Sequence, residues 1–466
     1  MIDLTLAEVA AATGGELVHG TGAEVVTGSV EFDSREVGPG GLFVAFDGAK
    51  VDGHDFAAAA VGRGATGVLG TRDTGVPGVL VDDPLAALAR LARHVADRLP
   101  QLTVVGLTGS SGKTTTKDLT AQLAARIGPT VAPPGSFNNE LGHPWTVLKA
   151  GAETRFLVLE MGARGIGHIK HLCDVAPPRI GVVLNVGTSH IGEFGSVENI
   201  ALAKGELAEA VPADGGVAVL NADDPRVRAM AARTRGRVVL VGEAADADVR
   251  AEDVTLDERG RASYTLVTAH GRAAVTLAVS GRHQVGNTLA AAAVALELGM
   301  PFAELPQALG ELRLVSTRRM DVFDRPDGVT VIDDSYNANP GSVATALRAL
   351  AAVGAGRRTT AVLGYMAELG DFEHEGHAQV GRLAAELGVD RLVVVDAAAA
   401  PIAEGARAHA GWTGKEIVVP DQPAAVAELA RDLRSGDVVL VKASRYRTWE
   451  VADALRDPAT LPVVTA

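Results

Sequence analysis

Lys113, Glu160, His190 and Lys204 are side chains of the kinds that manage phosphate charge, and three of them stand at the ends of apolar runs or glycine-rich turns. Lys113 lies in Thr108-Gly109-Ser110-Ser111-Gly112-Lys113-Thr114-Thr115, directly after the apolar, β-branched run Leu102-Thr103-Val104-Val105-Gly106-Leu107. A strand, a glycine-rich turn and a helix start, in that order, build a phosphate loop. Gly109 and Gly112 let the backbone turn its N–H groups inward, and the positive end of the helix adds to the cradle. Lys113 would reach the β- and γ-phosphates of a nucleotide, and Thr114 would offer its hydroxyl to a magnesium ion. The loop departs from the general pattern, because the residue five before Gly112 is Leu107 and the glycine stands at Gly109.

Glu160 ends the run Phe-Leu-Val-Leu-Glu, His190 follows Gly-Val-Val-Leu-Asn-Val-Gly-Thr-Ser, and Lys204 lies in the helical stretch Glu-Asn-Ile-Ala-Leu-Ala-Lys-Gly-Glu-Leu. In open parallel sheets the working groups gather beyond the carboxyl ends of the strands. Glu160 and His190 could therefore complete the magnesium coordination that Thr114 begins. Histidine is an unusual ligand for that ion, since hard cations prefer oxygen. Each residue also has a plain reading: a satisfied strand-end carboxylate, a turn histidine and a solvated helix lysine.

Further polar groups fall where loops belong. Asn138-Asn139-Glu140, with Gly142 and Pro144, is too rich in amides to be core, and Gly281 to Asn287 opens a helix that places the Asn287 amide to read a base edge. Asp333-Asp334-Ser335-Tyr336-Asn337-Ala338-Asn339-Pro340 ends a strand late in the chain. Near the start, Glu31-Phe32-Asp33-Ser34-Arg35 ends a strand in groups that could receive a pyrophosphate or a ribose, and Phe46 to Phe56 is a polar, turn-rich loop. Any single Asx residue here is equally a turn former or a helix cap.

The elements that must position these groups divide the chain in three. Residues 1–100 read as short strands with helices near Leu6 to Thr13, Phe56 to Arg63 and Pro84 to Arg98. Residues 101–314 alternate strands and helices as a mostly parallel sheet does, with antiparallel hairpins from Val249 to Ser280. Residues 315–466 repeat strand then helix and read as a doubly wound α/β domain without a second phosphate loop, hence as a lid or substrate domain. The fold class is α/β in three domains. At 466 residues and 47% hydrophobic content, several cores can be filled. A net charge of -14 argues against nucleic acid as the main partner, and a single cysteine, Cys173, excludes an internal disulfide or a thiolate cluster. With no basic leader and no apolar run near the ~20 residues of a bilayer span, the expected setting is the cytoplasm.

With these residues assembled, the sequence resembles the Mur ligase family, the ATP-dependent amide ligases of peptidoglycan precursor synthesis, over essentially its whole length. The loop T-G-S-S-G-K-T-T is the short variant of that family. The runs F-N-N-E-L-G-H-P, L-E-M-G-A, D-D-S-Y-N-A-N-P, M-A-E-L-G and V-K-A-S-R look most like the branch that adds D-alanyl-D-alanine to UDP-N-acetylmuramoyl-tripeptide. The resemblance implies ATP and magnesium as cofactors and those two substrates as partners; the chain is expected to be a monomer. Ser34 and Arg35 would lie near the uridine diphosphate. The loop from Thr108 to Thr115 would hold ATP; Thr114, Glu160 and His190 would be metal ligands; and Lys204 would be carbamylated, which turns a cation into an oxygen ligand. Asn287 would contact adenine, Asp334 the ribose, and Arg319 would sit at the hinge into the last domain. Asn138, Asn139, Glu140, Tyr336, Asn337 and Asn339 would line the path of the peptide substrates. The chain departs from the family at Gln284, Arg318, Tyr365 and Ala443, where members often carry Asn, Gly, Asp and Gly. Two other readings stay open: a sibling ligase with a different acceptor, and a P-loop ATPase that switches the shape of a partner.

Overall fold

A computed structural model describes residues 1–444 and 447–464. The V-K-A-S-R run loses its last member to this limit, since Arg445 lies outside the described residues. Three larger sheets carry the architecture.

The central sheet has nine strands. From one edge they run Thr130–Val131, Phe156–Glu160, Thr103–Thr108, Ile180–Val183, Val217–Asn221, Arg237–Gly242 and Val249–Leu256, all paired in parallel. Arg261–Thr268 and Gly271–Ser280 then add antiparallel, as the alternating pattern around Gly260 and Gly271 predicts. Side chains on the phosphate-loop strand alternate between two cores. Val105 and Leu107 pack with Leu119 and Leu123 of the loop's own helix, Lys113–Ala125, and with Leu289 and Val294 of the helix Gln284–Glu297. Val104 faces the opposite layer, whose core continues without a break into Leu88 and Leu91 of the helix Pro84–Asp97 and on to Leu6, Leu42 and Leu69. Each such fully buried Leu or Val adds about 1.5–3 kcal/mol relative to exposure.

The N-terminal sheet has the order Glu16–Val18, Gly78–Leu80, Gly67–Gly70, Leu42–Val44, Val30–Glu31, parallel except at the first pair. The C-terminal sheet has the order Asp321–Asp324, Thr330–Asp333, Val438–Lys442, Thr359–Gly364, Arg391–Val395, Lys415–Val419. Its strands are parallel apart from the first, which the sequence pattern does not predict because Asp-Val-Phe-Asp is polar at both ends. Leu363, Leu392 and Leu440 face one set of helices, while Val362, Val393 and Val439 face the other, as double winding requires.

The phosphate-loop helix also fixes the passage into the C-terminal sheet. Gln122 exchanges hydrogen bonds with the Arg313 backbone, at 2.9 Å and 3.1 Å, and the Asp118 carboxylate accepts the Ser316 N–H at 3.0 Å. Among the described residues no helix is long and apolar enough to cross a membrane.

His143, on the short helix Gly142–Val147, has no exposed surface, and burial drives its imidazole down to about 3. A folded-state value below the unfolded one leaves this contribution intact above pH 6.5 and removes it as the pH falls toward 3. His143→Leu is expected to shrink the stability lost between pH 7.5 and pH 5 by about 2 kcal/mol, read by urea denaturation at the two values.

Candidate active site

The phosphate loop is shaped by Gly112, which holds φ +79 at the head of its helix. A Cβ there would come within 2.7 Å of the Asn287 amide oxygen, so both the torsion and the space require glycine. Asn287 is held in turn by its own amide, which donates to the Gln284 side chain at 2.9 Å. The loop is tied to the segment after Ile180–Val183: the Ser111 N–H donates to Asn185 Oδ1 at 2.9 Å, and Ser189 Oγ donates to the Ser110 carbonyl at 2.9 Å. Gly112→Ala is expected to weaken ADP binding by about tenfold, the equivalent of one residue forced into the left-handed region, as measured by titration calorimetry.

Behind the loop, Glu160 is 1% exposed and fully engaged. Thr114 Oγ1 donates to one carboxylate oxygen at 2.8 Å, while Ser136 Oγ and Asn138 Nδ2 donate to the other at 2.8 Å and 2.6 Å. Thr114 also accepts from Arg319 Nη2 at 3.2 Å, and the Arg319 guanidinium lies 4.0 Å from the centre of the Tyr336 ring. A residue from beyond the hinge therefore touches the loop directly. Next to it, Asp334 accepts the Met320 N–H at 3.1 Å and Lys442 Nζ at 2.5 Å. Lys442 also donates to the Asn337 carbonyl at 2.9 Å, and Ser444 Oγ to the Asn337 amide oxygen at 3.0 Å.

Three basic side chains converge on this region. Lys113 folds back to donate to the Gly109 carbonyl at 2.9 Å, and burial lowers its ammonium, opposed by the charge of Glu160 and aided by Arg319. Lys204, on the helix Val197–Ala210, is 5% exposed and has no hydrogen-bond partner among the described residues. Burial, with the nearby charge of Lys113, drives its ammonium well below the usual lysine range. His190 starts a short helix at φ +60, and burial lowers its imidazole against the pull of Glu368.

One cavity of about 1400 Å³ gathers these groups. Ser110 to Thr115, Asn138 to Glu140, Glu160, His190 and Lys204 line it from the central sheet, together with Asn287. Arg319, Asp334, Tyr336, Asn337 and Asn339 line it from the C-terminal part. Thr108 and Gly109, at the start of the loop, are not among the lining residues. Ser34 and Arg35 are not among the lining residues: the Arg35 guanidinium pairs with Asp33 at 2.6 Å, holding that carboxyl down at about 2, whereas Phe32 does reach the cavity. Two amides are also spent on local structure. Asn339 caps the helix Pro340–Val353, and Asn139 accepts the Gly142 N–H at 2.9 Å. Sequence reasoning missed Ser136, and gave Lys442 and Glu368 no role although they stand in the V-K-A-S-R and M-A-E-L-G runs. Lys442 ends the apolar run Val-Val-Leu-Val-Lys, the same strand-end signal that marks Glu160.

A phosphate-loop sheet with two further α/β sheets, the last of which reaches the loop through Arg319, defines a multidomain P-loop nucleotide-binding protein. Family models narrow this. The Mur ligase middle domain matches residues 107–295, the Mur ligase glutamate ligase domain residues 318–445, and the Mur ligase catalytic domain residues 27–96. The chain belongs to the Mur ligase family. It is 50% identical to the UDP-N-acetylmuramoyl-tripeptide–D-alanyl-D-alanine ligase of Mycobacterium tuberculosis, over 98% of each chain. It is 34% identical to the Escherichia coli enzyme of the same name, over 99% of this chain and all of the other. Among solved structures, MurF of Acinetobacter baumannii superimposes with a TM-score of 0.87 at 30% identity, covering 97% of this chain and 98% of the other. MurF of Thermotoga maritima in complex with ADP superimposes with a TM-score of 0.80 at 32% identity, covering 92% and 97%.

Proposed function

We infer that this chain is an ATP-dependent ligase that joins D-alanyl-D-alanine to the terminal carboxylate of UDP-N-acetylmuramoyl-tripeptide in peptidoglycan precursor synthesis. The observation that carries this reading is the meeting of a phosphate loop, a caged carboxylate and an unpartnered buried lysine in one cavity. Relatives aligned over nearly their whole length carry the same activity in their names. In this reading residues 1–100 hold the UDP end of the substrate near Ser34 and Arg35, residues 101–314 hold ATP, and residues 315–466 close as a lid. The protein acts as a monomer in the cytoplasm.

The donor set suits magnesium. Thr114 and Glu160 offer oxygen, and the lowered ammonium of Lys204 favours the neutral amine, the form able to take up carbon dioxide. That step forms an N–C bond to CO₂ and releases one proton, leaving a carbamate whose oxygens suit a hard cation. His190 would complete the set. Bound magnesium supplies positive charge beside the phosphates.

The terminal carboxylate of the tripeptide attacks the γ-phosphorus of ATP, ADP leaves, and an acyl phosphate results. The amine of D-alanyl-D-alanine then attacks the acyl carbon, loses a proton and expels phosphate. An anion must approach an anion in the first step. Lys113 and Arg319 screen that repulsion, the backbone of Gly109 to Thr115 orients the phosphates, and Asn287 and Asp334 hold the nucleoside. Asn138, Glu140, Tyr336 and Asn337 border the space left for the peptides. Phosphate release tests the reading in four mixtures: ATP alone, with the nucleotide-linked tripeptide, with D-alanyl-D-alanine, and with both. Release that requires both supports it. Release with ATP alone would make the protein an ATPase switch, and release with a single amino acid in place of the dipeptide would make it a sibling ligase.

A further inference from the structure

Glu368 belongs to the M-A-E-L-G turn after the strand Thr359–Gly364, and the chemistry above gives it no part. Its carboxylate nevertheless crosses from the C-terminal sheet to the central one and meets the imidazole of His190 at Nδ1. The contact is sheltered, with the two side chains 28% and 17% exposed. It is also built from both sides. His190 and Glu368 each adopt a left-handed backbone, φ +60 and φ +65, that non-glycine residues rarely take. The Gly192 N–H donates to the Glu368 carbonyl at 3.2 Å. Gly192 and Gly370 are packed so closely that a Cβ on Gly192 would lie 2.5 Å from the Gly370 nitrogen. Between them, Ile191 packs against the core of each unit.

We propose that Glu368 is a positioning residue for His190, and that it acts only when the C-terminal unit is docked. The proposal rests on the ligase reading above. A carboxylate at Nδ1 accepts a hydrogen bond from the N–H of the neutral ring, which fixes the proton on Nδ1 and leaves the Nε2 lone pair for a cation. Nε2 has no hydrogen-bond partner among the described residues, and His190 lines the cavity that holds Lys113 and Lys204. The other oxygen of Glu368 lies 3.6 Å from Arg164, which follows the strand bearing Glu160. Glu193 lies near enough that its carboxylate, Glu368 and His190 could be taken for a cation site of their own. Arg164, 3.8 Å from Glu193 as well, already supplies positive charge there. Undocking removes the partner from Nδ1, frees the ring to change tautomer and disassembles the ligand set. ATP turnover is thereby tied to closure through His190, beside the direct contact that Arg319 makes with Thr114 of the phosphate loop.

The test compares the full-length wild type, Glu368→Ala and Glu368→Gln. Glu368→Ala should lower kcat 10- to 100-fold while KM for ATP and for the nucleotide-linked tripeptide stays within about threefold. Glu368→Gln, which keeps an acceptor oxygen, should recover to within about fivefold of the wild type. Independently of turnover, ¹⁵N-histidine spectra of protein saturated with ADP and magnesium should show His190, assigned by the resonance lost in His190→Gln, as the Nδ1-protonated tautomer. Glu368→Ala should shift that signal toward a mixture. Gly192→Ala, which blocks docking by backbone contact and leaves Glu368 in place, should reproduce the tautomer shift. An unchanged His190 signal in Glu368→Ala, or a kcat within twofold of the wild type, would overturn the proposal. So would small-angle scattering showing that Glu368→Ala merely fails to close. A wild type that makes no amide product from both substrates would instead sink the ligase reading.

Discussion

Lys113→Met is expected to lower kcat for phosphate release by on the order of a thousandfold, with little change in KM for the nucleotide-linked tripeptide. The reason lies in where charge appears. As the tripeptide carboxylate closes on the γ-phosphorus, negative charge spreads over the transferring oxygens, and a fixed cation in a water-poor site stabilises that state more than it stabilises bound ATP. Lys113 is held for this task by its own loop, through the bond from Nζ to the Gly109 carbonyl. Methionine keeps most of the stem and its packing and removes the ammonium, both its charge and its bond to the Gly109 carbonyl. Steady-state kinetics with both peptide substrates check the prediction, and circular dichroism confirms the fold. A loss confined to KM for ATP would mean that Lys113 only binds.

Lys204→Ala is expected to cost about a hundredfold or more in kcat, with little recovery on adding bicarbonate. A surface lysine would be indifferent to truncation, but Lys204 is buried, unpartnered and pressed toward the neutral amine by burial and by Lys113. Neutral amine is the form that captures carbon dioxide, and the lowered ammonium makes that form available at lower pH than on a surface lysine. Wild-type protein equilibrated with ¹³C-bicarbonate should show a carbamate resonance that Lys204→Ala lacks, whether or not nucleotide is bound. Its absence from the wild type would leave Lys204 a buried cation with no ligand role.

Much of this was legible from pattern alone, and the exceptions share a cause. The phosphate loop, Glu160 and the parallel strands advertise themselves because a buried strand ending in a polar group is a local signal. Lys442 carried the same signature. Glu368 ends no apolar run and stood only inside the M-A-E-L-G resemblance: it lies in a turn at positive φ, and its partner is far away in sequence, so only tertiary docking reveals what it meets. The strand Asp321–Asp324 was hidden for a related reason, since as an edge strand it is only partly buried and need not be apolar. Departures from the family pattern have local explanations. Gln284 still offers an amide oxygen to Asn287. Arg318 occupies φ +60, where glycine would rest without strain, and is held there by Asp453 at 3.2 Å and by the Trp449 ring at 5.5 Å. Tyr365 sends its hydroxyl to Glu373 at 2.5 Å and stacks on His377, and Ala443 packs against Gly364.

The unbroken core that joins Leu6, Leu42 and Leu69 to Val104 and Leu157 has a mechanical meaning. Any swing of the first hundred residues against the phosphate-loop sheet would tear apolar surface open to water, whereas the last sheet keeps its hydrophobic layers to itself and meets the rest through polar contacts, a glycine-lined seam and the peg of Ile191. Motion in this molecule is therefore cheapest as one jaw moving against a fixed anvil.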